Sequence, residues 1–192
     1  HPSMQADNLS GVLTMARQSP GSLSIGHGGN GTGMHLSAAL LAQMADIKWT
    51  EVGYKGTGPA TSDALGGQIP LAVSDMPASL SLIQAKRLKP FAVTSAKRLP
   101  ALPDVPTVAE SFPGFEATGW FGIFAPKGMP AAQVAALNRE INDILRAEDV
   151  KKAFEGQGMD PASDTPDGFA KLVARDADRW AALIKAQGIK AE

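Results

Sequence analysis

Five glycines fall within eight residues, Gly26-His-Gly-Gly-Asn-Gly-Thr-Gly33, between two apolar segments. Glycine lets a backbone turn tightly and approach a neighbouring group closely. Residues 22–25 before the loop read as a short strand. Residues 34–45 after it read as a helix, with Leu36, Leu40, Leu41 and Met44 on one face. The loop therefore marks a strand-to-helix crossing. The first N–H groups of the helix face whatever lies in front of it, and the helix dipole favours a negative group there. The natural guest is an anion, carboxylate or phosphate, with the Thr32 hydroxyl and the Asn30 amide as further donors.

The alternation continues along the chain. A short helix over 8–18 precedes the loop. Residues 49–54 read as a strand, and 60–65 as a helix with Pro59 in its first turn and Gly66-Gly67 as its stop. Residues 69–73 read as a strand, Pro77 to Lys86 as a helix and 91–94 as a strand. Residues 22–94 thus spell β-α-β-α-β-α-β, which implies an α/β fold with a parallel sheet and helical crossovers. The texture then changes to a proline-rich loop over 99–114, with a short helix at 107–111. An apolar strand is expected at 120–125, WFGIFA, followed by helices at 131–147, 149–157 and 168–187. One strand cannot make a sheet. Residues 1–118 are therefore expected to form an open α/β unit, and residues 119–192 to belong to a larger two-domain protein or to dock on another chain. Exposed apolar surface there predicts a homodimer.

Composition excludes several classes. Eighteen basic and nineteen acidic residues leave a formal net charge of −1, which disfavours nucleic-acid binding. There is no cysteine, hence no disulfide, thiol nucleophile or cysteine-bound metal. No apolar run is long enough to span a membrane. The opening HPSMQADNLSG has neither the basic nor the apolar region of a signal peptide.

Catalytic motifs are also missing. There is no HExxH, no G-x-S-x-G and no Ser/His/Asp set, so no catalytic residue and no cofactor is expected. His27 and His35 are the two internal histidines. With no carboxylate near them in sequence they make a poor metal site. Gly26-x-Gly28-x-x-Gly31, with Glu51 twenty residues further on, matches the dinucleotide fingerprint. The fingerprint wants its acid at the end of the next strand, whereas Glu51 falls inside it. A nucleotide-binding enzyme is thus a minor alternative.

Two other places face the same sheet edge. Tyr54-Lys-Gly-Thr-Gly-Pro59 is a second strand-to-helix turn, with backbone N–H groups and Thr57 as donors. Lys55 is either an electrostatic partner or simply solvated. Asp75 ends the third strand, either as an acceptor for a ligand or as the cap of the helix opened by Pro77. Trp120 lies where the first unit ends and reads either as a hinge residue or as a core residue.

With these segments assembled, the chain resembles the extracytoplasmic solute receptors of tripartite tricarboxylate transporters, the Bug receptors. Three stretches carry the resemblance: SIGHGGNGTGMHLSAALLAQ, VGYKGTGPATSDALGGQIPL and KPFAVTSAKRLPALPDVPTVAESFPGFEATGWFGIFAPKGMP. It implies a two-lobed periplasmic binding protein fold of type II. The present residues would be mainly the second lobe (1–118), plus a C-terminal segment returning to the first (119–192), with the N-terminal part of the family's chain missing. It implies a periplasmic protein that traps a dicarboxylate, tricarboxylate or amino acid between its lobes, closes about a hinge near Ser95 and Trp120, and hands the ligand to membrane permease subunits. A ligand sensor for a signalling system is the alternative. Carried over by motif, the ligand-binding positions are Gly28, Gly29, Gly31, Thr32, His35, Tyr54, Gly56, Gly58, Ala60 and Asp75. Departures from the family pattern are His27-Gly28 where serines are common, Gly53 in place of a proline, and Lys86 in place of a glycine.

Overall fold

The computed structural model describes residues 1–190. The chain divides into two compact units, one of His1–Gly119 with Leu183–Glu192 and the other of Trp120–Ala182.

The first unit is built on a parallel sheet of three strands in the order β2-β1-β3. β1 is Ser24–His27, β2 Thr50–Gly53 and β3 Leu71–Ala72. Ile25 sits opposite Glu51 on one side and Leu71 on the other. Helix α1 (Leu9–Gln18) starts at Asn8, whose side chain accepts the Gly11 N–H at 3.0 Å. Each strand then leads into a helix: α2 (Gly33–Ala45), α3 (Thr57–Leu65) and α4 (Met76–Gln84). Every crossover returns the chain to the same sheet edge, so the starts of α2, α3 and α4 all lie at the C-terminal end of the strands.

The core is aliphatic and small-residue rich. Ile25, Leu36, Ala38, Ala60, Ala64, Ile69 and Leu71 are buried. A second cluster of Leu80, Val93, Leu102 and Val105 lies beneath the proline loop, with Met76, Ile83 and Leu99 packed against it.

Two strands expected from the sequence are not formed. Residues 91–94 make only an isolated parallel bridge, Val93 to Thr107. Its two bonds run from the Val93 N–H to the Pro106 carbonyl and from the Val108 N–H to the Val93 carbonyl, both 2.9 Å. Pro90 and Pro106 have no N–H to extend the ladder. The sheet therefore has three strands where the alternation suggests four. Residues 120–125 form no strand. A strand needs a neighbouring backbone, and among the described residues none pairs with this segment.

In the second unit, α5 (Ala131–Arg146), α6 (Glu148–Glu155) and most of α7 (Pro166–Gln187) form as the helical periodicity predicts. The packing is thin: neither α5 nor α6 has a buried residue. The Trp120 indole N–H donates to Asp176 at 2.7 Å, and its ring meets Phe169 edge-on at 5.3 Å. Trp120 is thus neither a core tryptophan nor free. Asn138 and Asn142 both donate to the Asp164 carbonyl at 2.9 Å.

The proline loop is clamped by one residue. Glu110 accepts Arg98 Nε at 2.8 Å and Nη2 at 2.7 Å, and closes a capping box with Thr107. The Arg98 bonds, and after them the Thr107 N–H, hold the Glu110 carboxyl at about 2, below its ordinary 4.5. A lowered folded-state pKa means this stabilisation is complete above pH 4.5 and is lost as pH falls toward 2. The expected outcome is that the stability difference between the native chain and Glu110→Gln shrinks across that window, as read by denaturant unfolding at several pH values. Because the pair is exposed, the difference will be small.

Candidate functional site

Three loops meet at the C-terminal edge of the sheet. The Gly56 N–H donates to the Gly28 carbonyl at 3.1 Å, joining the first loop to the second. The Thr57 hydroxyl donates to Asp75 Oδ2 at 2.6 Å, joining the second to the third. A hydrogen bond between Thr61 and Ser74 at 2.7 Å reinforces that second join.

Gly28 is glycine because of this contact. A Cβ there would lie 3.1–3.3 Å from Thr57 Cγ2, the Thr57 nitrogen and the Gly56 carbonyl carbon. Two of those atoms are backbone and cannot turn aside. Gly29 and Gly56 are glycine for another reason: their φ values of +125° and +107° suit no other residue well. At Gly56 and Gly58 an added Cβ would enter open space.

Several predicted residues are already committed to protein partners. Thr32 caps α2: its hydroxyl donates to the Gly29 carbonyl at 2.7 Å and accepts the His35 N–H at 3.4 Å. The Gly31 N–H donates to His35 Nδ1 at 3.0 Å. The Gly29 nitrogen and carbonyl oxygen lie 3.3 and 3.1 Å from His27 Nδ1. The Tyr54 hydroxyl donates to Asp63 at 2.8 Å, and burial, then this carboxylate, push it above the ordinary tyrosine range. Ala60 is fully buried and offers only backbone. Asp75 caps α4 by accepting the Ala78 N–H at 3.0 Å on Oδ1, while Oδ2 takes the Thr57 hydroxyl. Lys55 is exposed.

What this leaves for a ligand is backbone. The first N–H groups of a helix have no intrahelical acceptor. Helix α3 begins at Gly56 with no side-chain cap, unlike α2 and α4. The Thr57 and Gly58 N–H groups therefore have no capping side chain at the helix start, and the dipole of α3 lies behind them. Neither of two surface depressions, of about 270 and 250 Å³, is lined by either glycine loop.

The sequence leaves the histidines without a carboxylate, and here the structure corrects it. Glu51 Oε2 lies 2.9 Å from His35 Nε2, and the His27 and His35 rings stack at 4.4 Å, 8° from parallel. One donor atom from each of the three residues lies within 4.8 Å of the others. The arrangement nonetheless suits a metal badly. A metal on Nε2 would put the ring proton on Nδ1, facing the Gly31 N–H that Nδ1 now accepts. Lone pairs of parallel stacked rings also run side by side instead of converging. Glu51 is likewise not poised to hold a ribose, because it sits mid-strand and is bonded to His35.

A family model described as "Tripartite tricarboxylate transporter family receptor" matches residues 1–189. A protein from a tcbD-tcbE intergenic region of a Pseudomonas species is 40% identical over 92% of this chain and 53% of its own length. Protein BugT of Bordetella pertussis is 34% identical over 99% of this chain and 59% of its own. The chain thus spans little more than half of these relatives. An R. palustris protein solved with adipate superposes with a TM-score of 0.91 at 33% identity, over 97% of this chain and 63% of that one. MatC from Rhodopseudomonas palustris with bound malate superposes at 0.86 and 27% identity, over 95% of this chain and 64% of that one. The α/β fold is that of periplasmic binding proteins of this kind.

Replacing Gly28 by alanine should force the first loop away from α3 and break the Gly56–Gly28 bond. Overpacking of this kind costs about 1–3 kcal/mol, readable as a lower urea midpoint at unchanged m-value. Gly58→Ala, whose Cβ enters open space, should leave stability unchanged or raise it by up to about 1 kcal/mol, because alanine favours a helix over glycine.

Proposed function

The chain belongs to the tripartite tricarboxylate transporter receptor family, and on that basis we propose that it captures a small carboxylate in the periplasm and delivers it to the permease subunits of such a transporter. The observation that carries the reading is the uncapped start of α3, pressed against Gly28 and open in front of Gly56 and Gly58. Backbone N–H groups at a helix start suit a carboxylate, whose oxygens accept and never donate. Adipate and malate, found with two structural relatives, share that chemistry. We read Gly28, Gly56, Gly58 and the backbone of Thr57 as the gripping surface. Gly29, Gly31, Thr32, His35, Tyr54, Ala60 and Asp75 serve that surface by shaping it. The event is capture and release, with no bond made or broken.

Residues 1–118 are read as the second lobe of the receptor and 119–192 as the segment returning to the first. Phe121, Ile123 and Phe124 are 78%, 75% and 63% exposed, an apolar run that pairs with no strand among the described residues. The same apolar run favours self-association.

A thermal-shift titration against malate, adipate, a tricarboxylate, several amino acids and a nicotinamide dinucleotide tests the ligand class. A carboxylate held about 100-fold above its Kd should raise the melting temperature by roughly 5–10 °C. No response to any carboxylate, or a response to the dinucleotide alone, would sink the reading. Sedimentation of the same sample should show dimer at high concentration, and a strict monomer would remove the homodimer.

A further inference from the structure

We infer that Glu51 is a positioning residue for the first glycine loop, acting through the tautomer of His35. The inference rests on the proposed role of that loop in holding a carboxylate, but it is read out without ligand.

The argument starts at the helix cap. In the usual capping box a Ser or Thr caps the helix, and a Glu or Gln three residues later reaches back to a backbone N–H. Here Thr32 is the cap, and the residue three positions on is His35. Its Nδ1 reaches back one residue further, to the Gly31 N–H at 3.0 Å. A carboxylate is always an acceptor. An imidazole accepts at Nδ1 only when its proton is on Nε2. The histidine therefore needs something at Nε2 to keep the proton there.

Glu51 is that group. Its Oε2 lies 2.9 Å from Nε2, with the His35 side chain 7% and the Glu51 side chain 30% exposed. An acidic acceptor beside a ring nitrogen settles which nitrogen is protonated. The position is set by the sheet: Glu51 lies opposite Ile25 in β2, sixteen residues from His35 in sequence. His27, stacked on the other ring at 4.4 Å, limits rotation of the His35 imidazole. The chain of contacts runs from Glu51 to His35 to Gly31, and from Thr32 to Gly29. It fixes the path of residues 29–32, and hence where Gly28 meets α3.

If Nδ1 carried the proton, two N–H groups would face each other at 3.0 Å and the loop would have to move. That gives a readout which simple loss of packing would not move. The sequence has only three histidines, so imidazole nitrogen spectra of the full chain with ¹⁵N-labelled histidine are tractable. His35→Asn assigns the signal. The native chain should show His35 with a bare Nδ1 and a protonated Nε2. Glu51→Ala should give a tautomer mixture and faster amide exchange at Gly31, by roughly 2- to 10-fold, the worth of one net hydrogen bond. Glu51→Gln, whose amide oxygen still accepts, should restore most of both. A native His35 protonated at Nδ1, or an unchanged tautomer and unchanged Gly31 exchange in Glu51→Ala, overturns the inference. If Glu51→Ala does not fold, the native tautomer and Glu51→Gln still decide it. Affinity for whichever carboxylate shifts the melting temperature should fall by a similar factor in Glu51→Ala. Equal affinity with an altered tautomer would overturn the positioning role. If no carboxylate binds, the receptor reading fails alone, because tautomer and exchange are measured on the free protein.

Discussion

The contact between Gly28 and the start of α3 holds the site together. Two crossover loops are brought within one hydrogen bond of each other, Gly56 N–H to Gly28 carbonyl at 3.1 Å, with no side chain between them. That spacing requires a glycine at 28, left-handed backbone at 29 and 56, and parallel strands that deliver both loops to the same edge. Remove the contact and the uncapped N–H groups of α3 face nothing in particular.

Around it, polar side chains mostly serve the backbone. Thr32 and Asp75 cap helices, the Tyr54 hydroxyl is tied to Asp63, and Thr57 is tied to Asp75. This division of labour has a physical advantage. Backbone N–H groups have no rotamer freedom to lose, so side chains that rigidify them would lower the ordering cost of the proposed capture.

Much of the fold is legible in the chain. Helix starts are written locally, in Asn8, Thr32, Asp75 and Pro130, and helix faces follow the 3.6-residue period. The two strand errors have one cause. Residues 91–94 and 120–125 have strand composition, but a strand exists only with a partner. Prolines limit the first to the single Val93–Thr107 bridge. The second has no partner among the described residues. The phenylalanines of WFGIFA advertise burial that they do not find among the described residues: Phe121 is 78% and Phe124 63% exposed.

The sequence by itself determined the order of the helices, the three strands that do pair and the shared edge of the glycine loops. These depend on neighbours in the chain: glycine conformations, caps and the right-handed crossover rule. Tertiary structure alone decided which donors remain for a ligand. The bonds from Gly31 to His35, from Tyr54 to Asp63 and from Thr57 to Asp75 consume groups that look available in sequence. Glu51 shows the difference most clearly. In sequence it is an ill-placed candidate for the acid of a nucleotide fingerprint; in the fold, strand register places it against His35 across sixteen residues. Periodicity says which face of an element a residue takes, and only the packing of elements says what that face meets.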